Sequence, residues 1–386
     1  MSNTPDPPRP KRWAAVQSGL GRTFHADGAK LVLALVGVFG FFVLAVAFES
    51  GWRARASNQV LAQRLEREGV PRTEWQLHAG WMDTKRAAQM GALRFLGLRN
   101  LETLARQTTI VGFGALGMTL VIISGGIDLS IGSLVALGTV VIAWFLGLRP
   151  GPWMPAAAAG MAILACGAFG CLSGLLITRL RVVPFIVTLG MMLLVRGTAK
   201  GLSREQRVDA PETWLNGLLA SLAPSDRWML VPPGVWLLVV ASVAIGLVLR
   251  YSRFGRYVFA VGSNEQTARL CGVPVERVKL GIYTLGGLFG GVAGIMQFSR
   301  LTVGDPTVAV GLELDVIAAV VIGGGSLSGG EGSVLGSLVG ALIMSVIRAG
   351  CSQMGLPNWV QEIITGIIII AAVALDRLRH RRLERG

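Results

Sequence analysis

The sequence predicts an all-α polytopic membrane protein with about ten transmembrane helices, some of them broken or re-entrant. Three observations support this class. Of the 386 residues, 52% are hydrophobic and only 15% are charged, and the mean hydropathy is +0.59. Apolar runs close to the ~20 residues that cross a bilayer recur along the chain. The basic residues behind the net charge of +14 lie between and beyond these runs, where they favour orientation and headgroup contacts over nucleic-acid binding.

Ten apolar segments define a membrane domain that we predict to cover residues 31–376. The eighth segment is short for a full crossing, so we expect a broken or tilted helix there. Small residues at four-residue spacing, such as Gly286, Gly290 and Gly294, predict close helix packing. In chain order, the predicted spans are 31–49, 107–124, 132–148, 153–177, 183–199, 233–250, 280–299, 312–324, 332–349 and 358–376.

Lys and Arg residues set the predicted orientation. Basic segments at 1–30, 251–279 and 377–386 adjoin span ends, and positive residues favour the cytoplasmic side. Both termini are therefore predicted to be cytoplasmic. Residues 50–106 then form an extracytoplasmic insertion in which apolar residues recur at helical spacing. This insertion either lies along the membrane interface or forms a solvated helical loop.

Enzymatic chemistry is not expected from this chain. The sequence has no Gly-Lys dipeptide and therefore no phosphate-binding loop of the G-x-x-x-x-G-K-[ST] type. The stretch GFGALG (112–117) lacks the preceding strand of a dinucleotide-binding turn, so close helix packing explains it better. The three histidines and four cysteines are scattered. We therefore predict no catalytic residue, no metal site and no cofactor bound by this chain.

One carboxylate stands between two apolar segments. In the stretch SGGIDLS, Asp128 and Ser130 follow Gly125 and Gly126. Glycines let a chain break its helix where the backbone lines a cavity. We expect a helix to start near Leu129, with Asp128 either capping its free N–H groups or lining a polar pathway. The two roles are compatible.

A second glycine-rich turn repeats this design. In GGGSLSGGEGS, Gly323, Gly324 and Gly325 precede Glu331, again between two apolar segments. Because both turns place a carboxylate beside glycines at a helix break, both are candidates for a path or gate through the membrane.

A short capped helix is predicted in the basic loop. Ser263 followed by Gln266 forms a capping-box pattern, Gly272 can end the helix in the left-handed conformation, and Pro274 prevents its resumption. The predicted helix covers residues 264–271. An isolated helix of this length is marginal in water. It therefore either lies on the membrane face of its own protein or docks into a partner's cleft.

Three blocks of the chain closely resemble the permease subunits of ribose-type ABC sugar importers, within the superfamily of branched-chain amino acid and sugar permeases. They are ALGMTLVIISGGIDLSIGSLVAL, VGSNEQTARLCGVPVERVKLGIYTLGGLFGGVAGI and GLELDVIAAVVIGGGSLSGGEGSVLGSLVGALIMSVI, and the resemblance covers roughly residues 92–375. It implies a homo- or heterodimer of permeases coupled to a cytosolic ABC ATPase, often with two fused domains. The ATPase would bind ATP and Mg. A periplasmic or extracellular sugar-binding protein would supply the solute.

The same resemblance identifies the basic loop as the ATPase-coupling segment. The coupling motif falls on Asn264, Glu265, Ala268, Arg269, Gly272, Glu276 and Arg277. The chain departs from the family at two places. Residues 50–91 look like an insertion, and RAGCSQMGLP lacks the asparagine often found before the glycine that corresponds to Gly350.

The expected function is therefore that of a permease subunit in a binding-protein-dependent importer of a monosaccharide, such as a pentose or hexose, in the bacterial inner membrane. The same machinery for a nucleoside, an autoinducer-type sugar or a polyol is an alternative. An ion-coupled secondary transporter would favour more intramembrane charges than Asp128, Glu313, Asp315 and Glu331. A membrane anchor for a signalling assembly would give the glycine-broken helices no purpose.

Overall fold

The computed structural model describes residues 11–77, 80–148, 151–222 and 228–383. The first ten residues of the predicted N-terminal segment and the last three of the predicted tail lie outside these ranges. Within them the chain is almost entirely helical, with thirteen α-helices and one pair of two-residue strands.

The helices are α1 (Lys11–Arg67), α2 (Thr84–Leu96), α3 (Leu98–Ile123), α4 (Ile131–Leu148), α5 (Met154–Leu180), α6 (Pro184–Ser203), α7 (Pro233–Tyr251), α8 (Arg253–Ser263), α9 (Glu265–Leu270), α10 (Val275–Leu301), α11 (Leu312–Ile322), α12 (Val334–Gln353) and α13 (Asn358–Leu383). Strands β1 (Val208–Asp209) and β2 (Val303–Gly304) pair antiparallel. The longest connection between consecutive helices is the one from α6 to α7, which contains β1.

Among the described residues, eight helices are long and apolar enough to cross a membrane. They are α1 from Leu31 onward, α3, α4, α5, α6, α7, α10 and α12. The two other predicted spans are shorter: α11 has 11 residues, and the apolar part of α13 is Asn358–Ala371. The short α11 agrees with the incomplete crossing expected for the eighth segment. The prediction of an all-α polytopic membrane protein is confirmed.

The N-terminal region differs from the predicted short span followed by a separate insertion. Helix α1 continues without a break to Arg67, because the residues after the apolar segment are rich in Ala, Leu, Gln, Arg and Glu, which favour helix. Helix α2 returns antiparallel along it. The ring centroids of Phe95 and Phe39 lie 5.2 Å apart, and Asn58 Nδ2 donates to the Met82 carbonyl at 2.7 Å. We call residues 50–96 the α1–α2 hairpin.

Helix α10 lies at the centre of the bundle and packs on α3, α4 and α5. Glycines bring these helices close, as their spacing predicts. A Cβ on Gly117 would lie 2.9 Å from the Gly286 Cα atom, and a Cβ on Gly138 would lie 3.1 Å from the Gly294 Cα atom. Any larger residue would separate the helices.

A polar cluster that the sequence did not indicate fixes the connection between α10 and α11. Strand β2 lies beside α4, and Asp305 N donates to Thr139 Oγ1 at 3.2 Å. Arg207 Nε donates to Asp305 Oδ2 at 2.8 Å, and Asp305 Oδ1 accepts bonds from both the amide and the hydroxyl of Thr307. Arg196 donates to two carbonyls of the same connection. The cluster therefore holds this connection against α4.

Candidate functional site

The two glycine-rich turns meet at one end of the bundle. The first (124–130) joins α3 to α4, and the second (323–333) joins α11 to α12. The amide of Gly330 donates to the Ile123 carbonyl at 2.8 Å, which links the second turn to the end of α3. Gly125 and Gly324 have φ values of +79° and +89°, a conformation that glycine adopts at no steric cost.

Asp128 is buried, with 2% of its surface exposed. Its Oδ1 atom accepts hydrogen bonds from the Ser130 amide at 2.8 Å and the Ser130 hydroxyl at 2.6 Å. Helix α4 begins at Ile131, later than the start expected near Leu129, and the first helical bond runs from the Leu134 amide to the Ser130 carbonyl. The Asp128 carboxylate therefore orders the approach to the helix, as in an Asx-turn, and does not cap the first turn itself.

Tyr283 of α10 is a neighbour of Asp128 that the sequence analysis missed. Its side chain is 1% exposed, and its hydroxyl has no hydrogen-bond partner among the described residues. This hydroxyl contacts Gly126, where any side chain would clash with it. A buried tyrosine hydroxyl usually has a partner. A tyrosine inside an apolar helix gives no sequence signal for this position.

The second turn contains a different cap from the predicted one. Ser333 is the N-cap of α12, and its hydroxyl accepts a bond from the Gly336 amide at 3.0 Å. Ser333, and not Glu331, therefore caps α12. Ser333 directly precedes the helix, so its short side chain reaches the free amides of the first turn. The backbone of Glu331 instead accepts a bond from the Ser326 amide, inside the turn.

The basic loop contains two helices instead of the single short helix predicted. Helix α8 precedes α9, and Asn264 separates them. Asn264, and not Ser263, is the N-cap of α9, and its Oδ1 accepts a bond from the Thr267 amide at 2.8 Å. Gly272 has φ +81°, the left-handed conformation that its position at the helix end predicts.

Ion pairs fasten α9 to the first turns of α10. Lys279 Nζ lies 2.6 Å from Glu265 Oε2, and Arg269 bridges Glu265 and Glu276. Three of the candidate coupling residues, Glu265, Arg269 and Glu276, are thus paired with one another within this chain. These contacts explain how so short a helix keeps its position.

The remaining candidate coupling residues differ in exposure. Ala268 is buried with 5% of its surface exposed, whereas Asn264, Gly272 and Arg277 are exposed. Leu270, which the sequence analysis did not select, is 88% exposed at the tip of α9. A leucine in that position, on a helix otherwise held by charges, is available to a partner.

A cavity of about 280 Å³ lies beside α9. Residues of the α5–α6 connection, including Arg181 and Val183, line one wall, and Glu265 and Lys279 line the other. The surface around α9 is therefore concave on one side and carries the Leu270 side chain at its tip. No group of three His, Cys, Asp or Glu side chains in the described ranges is arranged to hold a metal ion.

Comparison with known proteins gives a consistent result. Residues 100–373 match the family described as the permease component of branched-chain amino acid transport systems. The ribose import permease protein RbsC of Escherichia coli K12 is 39% identical over 287 residues, covering 74% of this chain and 88% of that protein. The L-arabinose ABC transporter permease protein AraH of Azospirillum brasilense is 38% identical over 288 residues, covering 75% and 83%.

The ribose import permease protein RbsC of Bacillus subtilis is 38% identical over 284 residues, which cover 73% of this chain and 86% of that protein. No solved structure matches the chain significantly. The family match includes both glycine turns, α8, α9 and nearly all of the membrane helices, and it leaves out the α1–α2 hairpin. This multi-pass membrane protein belongs to the family of branched-chain amino acid transport system permease components.

Proposed function

We propose that this chain is the permease subunit of a binding-protein-dependent ABC importer that moves a monosaccharide, such as a pentose or hexose, across the inner membrane. The observation that carries the proposal is its 38–39% identity to ribose and arabinose permeases over most of their length. The chain itself would bind no cofactor. ATP and Mg would bind to separate cytosolic ATPase domains.

Helix α9 and its surroundings are the proposed contact with the ATPase. The ion pairs to α10 give α9 a fixed position, and the exposed Leu270 provides an apolar anchor beside a concave surface. Burial of such an apolar side chain on binding contributes about 1.5–3 kcal/mol. Asn264, Gly272 and Arg277 would lie on the same contact, and Ala268 would support it from inside.

Contacts between distant segments support the proposed orientation. The first turn of α12 lies beside the second glycine turn, which contacts the end of α8. We place this end of the bundle in the cytoplasm. The other end of α12 is joined to α1, because Arg53 Nη2 donates to the Met354 carbonyl at 2.8 Å. Helix α1 then runs outward, the α1–α2 hairpin lies outside, and both termini are cytoplasmic.

The proposed translocation path passes the two glycine turns. Asp128 and Ser130 in the first turn, with Glu331 in the second, are the polar groups that we assign to this path. Gly125, Gly126, Gly323, Gly324 and Gly325 provide the breaks. A second permease subunit would complete the path, and a periplasmic or extracellular binding protein would deliver the sugar from the side of the hairpin.

Reconstitution tests the proposed function. The permease would be placed in liposomes with candidate ABC ATPase and sugar-binding subunits, and uptake of labelled ribose, arabinose and galactose would be measured with and without ATP. We expect ATP-dependent uptake of at least one sugar, and background ATP hydrolysis from the permease alone. Uptake driven by an ion gradient without ATP would contradict the proposal.

Labelling tests the orientation separately. A cysteine at Gln63, an exposed position in the hairpin, should react with a membrane-impermeant thiol reagent in cells with a permeabilised outer envelope. Reaction only after the inner membrane is broken would invert the topology.

A further inference from the structure

Three backbone segments from different parts of the chain touch at one point without side chains between them. At Gly262 in the last turn of α8, a Cβ atom would overlap the Ile123 carbonyl oxygen of α3 and lie 2.7 Å from the Gly330 amide of the second glycine turn. Only glycine fits, because the backbones are already in contact. We call this contact of Gly262 with residues 123–125 and 329–330 the glycine junction.

The neighbouring glycines close the junction from the other side. A Cβ on Gly329 would lie 2.6 Å from the Gly262 carbonyl and 3.0 Å from the Gly125 Cα atom. A Cβ on Gly330 would lie 3.1 Å from the Ser263 Cα atom. Gly329 and Gly330 both have positive φ, at +86° and +78°, so their own backbone shape also requires glycine. The hydrogen bond from Gly330 to Ile123 fixes the contact between the two turns.

The junction stands between the proposed ATPase contact and the proposed path. Gly262 is two residues before the N-cap of α9, and residues 126–127 lead directly from the junction to Asp128. Residues 331–333 lead from it to the start of α12. Side chains can change rotamer and absorb a small displacement, whereas close-packed backbones cannot.

We propose that the glycine junction makes α8–α9 and the two glycine turns move as one body, so that displacement of α9 is transmitted to the Asp128 segment and to α12. This inference rests on the proposed function, and it assigns a positioning role to Gly262, Gly329 and Gly330. None of these glycines would need to touch the ATPase or the sugar.

The first test adds a methyl group between the three backbone segments. Gly262→Ala should lower ATP-dependent sugar uptake by roughly 5- to 150-fold, the range expected when a coupling free energy of ordinary size is lost. Basal ATP hydrolysis and co-purification of the ATPase should persist. Gly246→Ala is the matched control, because a Cβ at Gly246 of α7 meets nothing within 4 Å. Normal uptake by Gly262→Ala would overturn the proposal.

The second test measures relative motion and compares the oxidised and reduced forms of one variant with each other, so the strain that a cysteine at residue 330 introduces is present in both forms. The Cβ position of Gly330 lies 3.4 Å from the Ser263 Cβ atom, close to the ~3.5–4.5 Å that a disulfide requires. The double variant Ser263→Cys/Gly330→Cys would be made in a Cys271→Ser background, because Cys271 is an exposed native thiol. Crosslinking would be measured without nucleotide and in the vanadate-trapped state, and uptake would be measured before and after oxidation.

If the segments move as one body, the disulfide should form at similar rates in both nucleotide states, and the oxidised protein should keep the uptake of its reduced form. Loss of uptake on oxidation that returns with reductant would show that the segments slide past each other, and it would overturn the proposal. ATP-dependent uptake by each variant is compared with uptake by the wild-type complex. Absence of ATP-dependent uptake in the wild type would instead refute the proposed function.

Discussion

The ammonium of Lys279 and the carboxylate of Glu265 lie 2.6 Å apart and join α9 to α10. The Lys279 side chain is largely buried, with 17% of its surface exposed, whereas that of Glu265 is 43% exposed. Because solvent screens partly exposed pairs, we assign this pair on the order of 1 kcal/mol or less. This ion pair matters because it holds α9, and therefore Leu270, in a fixed position on α10.

Reversing the charge of Lys279 should loosen α9. In Lys279→Glu, two carboxylates face each other, so the amides of residues 265–270 should exchange with deuterium faster than in the wild type. The swap Glu265→Lys/Lys279→Glu should restore part of the protection. Rescue should be incomplete because residue 265 would then repel Arg269. Unchanged exchange in Lys279→Glu would show that the pair does not hold α9.

Truncating Leu270 should weaken the ATPase contact without destabilising the permease. A leucine buried on binding contributes about 1.5–3 kcal/mol, so Leu270→Ala should weaken ATPase binding by roughly 10- to 100-fold. The side chain is 88% exposed in the free chain, so its loss should leave thermal stability nearly unchanged. Affinity would be measured with the permease in nanodiscs. Leu98→Ala, at an 84% exposed position in the first turn of α3, is the control, and equal loss in both variants would refute the assignment.

Substitutions of Asp128 distinguish its geometry from its charge. Asn keeps an oxygen that can accept from the Ser130 amide, whereas Ala leaves that buried donor unpaired at a cost of about 1–3 kcal/mol. We expect Asp128→Asn to retain most sugar uptake and Asp128→Ala to lose uptake or folded protein. Uptake would be normalised to folded permease. Failure of a well-folded Asp128→Asn variant would assign the function to the negative charge, and full activity of Asp128→Ala would refute both roles.

Asp305 should make the stability of the connection between α10 and α11 depend on pH. Burial alone would raise the pKa of Asp305, but hydrogen bonds from Thr307 and from Arg207 lower it below its ordinary value. A lowered pKa in the folded state means that the stabilisation is present above the unfolded-state pKa of about 3.9 and is lost as the pH falls through the folded-state pKa.

The unfolding temperature of the wild type should therefore exceed that of Asp305→Asn at neutral pH, and the difference should shrink below about pH 4. Thermal unfolding in detergent across this range measures it. Asp209→Asn, which removes an exposed carboxylate from the neighbouring strand and leaves Asp305 in place, is the control. A constant difference between wild type and Asp305→Asn would contradict the assignment.

The sequence predicted the membrane helices well because hydropathy reports burial in lipid directly. It predicted an apolar span to residue 49 and helical segments after it, but not that the first of these continues α1 unbroken to Arg67, because hydropathy falls there while helix propensity persists. Capping residues were misplaced for a related reason. Ser263 and Asn264 are both good N-caps, and only the path of α8 decides between them.

Tertiary contacts determine what the sequence could not indicate. Tyr283 approaches Asp128 only because α10 packs between α3 and α5, and Gly262 meets Ile123 only because α8 folds under the end of α3. Glycines have no side-chain pattern, so their separate positions in the chain give no sign that they converge. The positive φ at Gly272, in contrast, follows from purely local rules.

The length of α1 has a consequence for access to the membrane face. From Leu31 to Arg67 the helix has 37 residues, or about 55 Å at 1.5 Å per residue, whereas the hydrocarbon core is about 30 Å thick. Helix α1 is therefore about 25 Å longer than the hydrocarbon core is thick, whereas the end of α2, at Phe95, lies beside Phe39 in the apolar part of α1. The Arg67 end of α1 projects from the membrane beside the rest of the bundle. A soluble protein that binds this side must either have a recess that accommodates the projecting helix or approach from the opposite side, so its direction of approach is restricted before any specific contact forms.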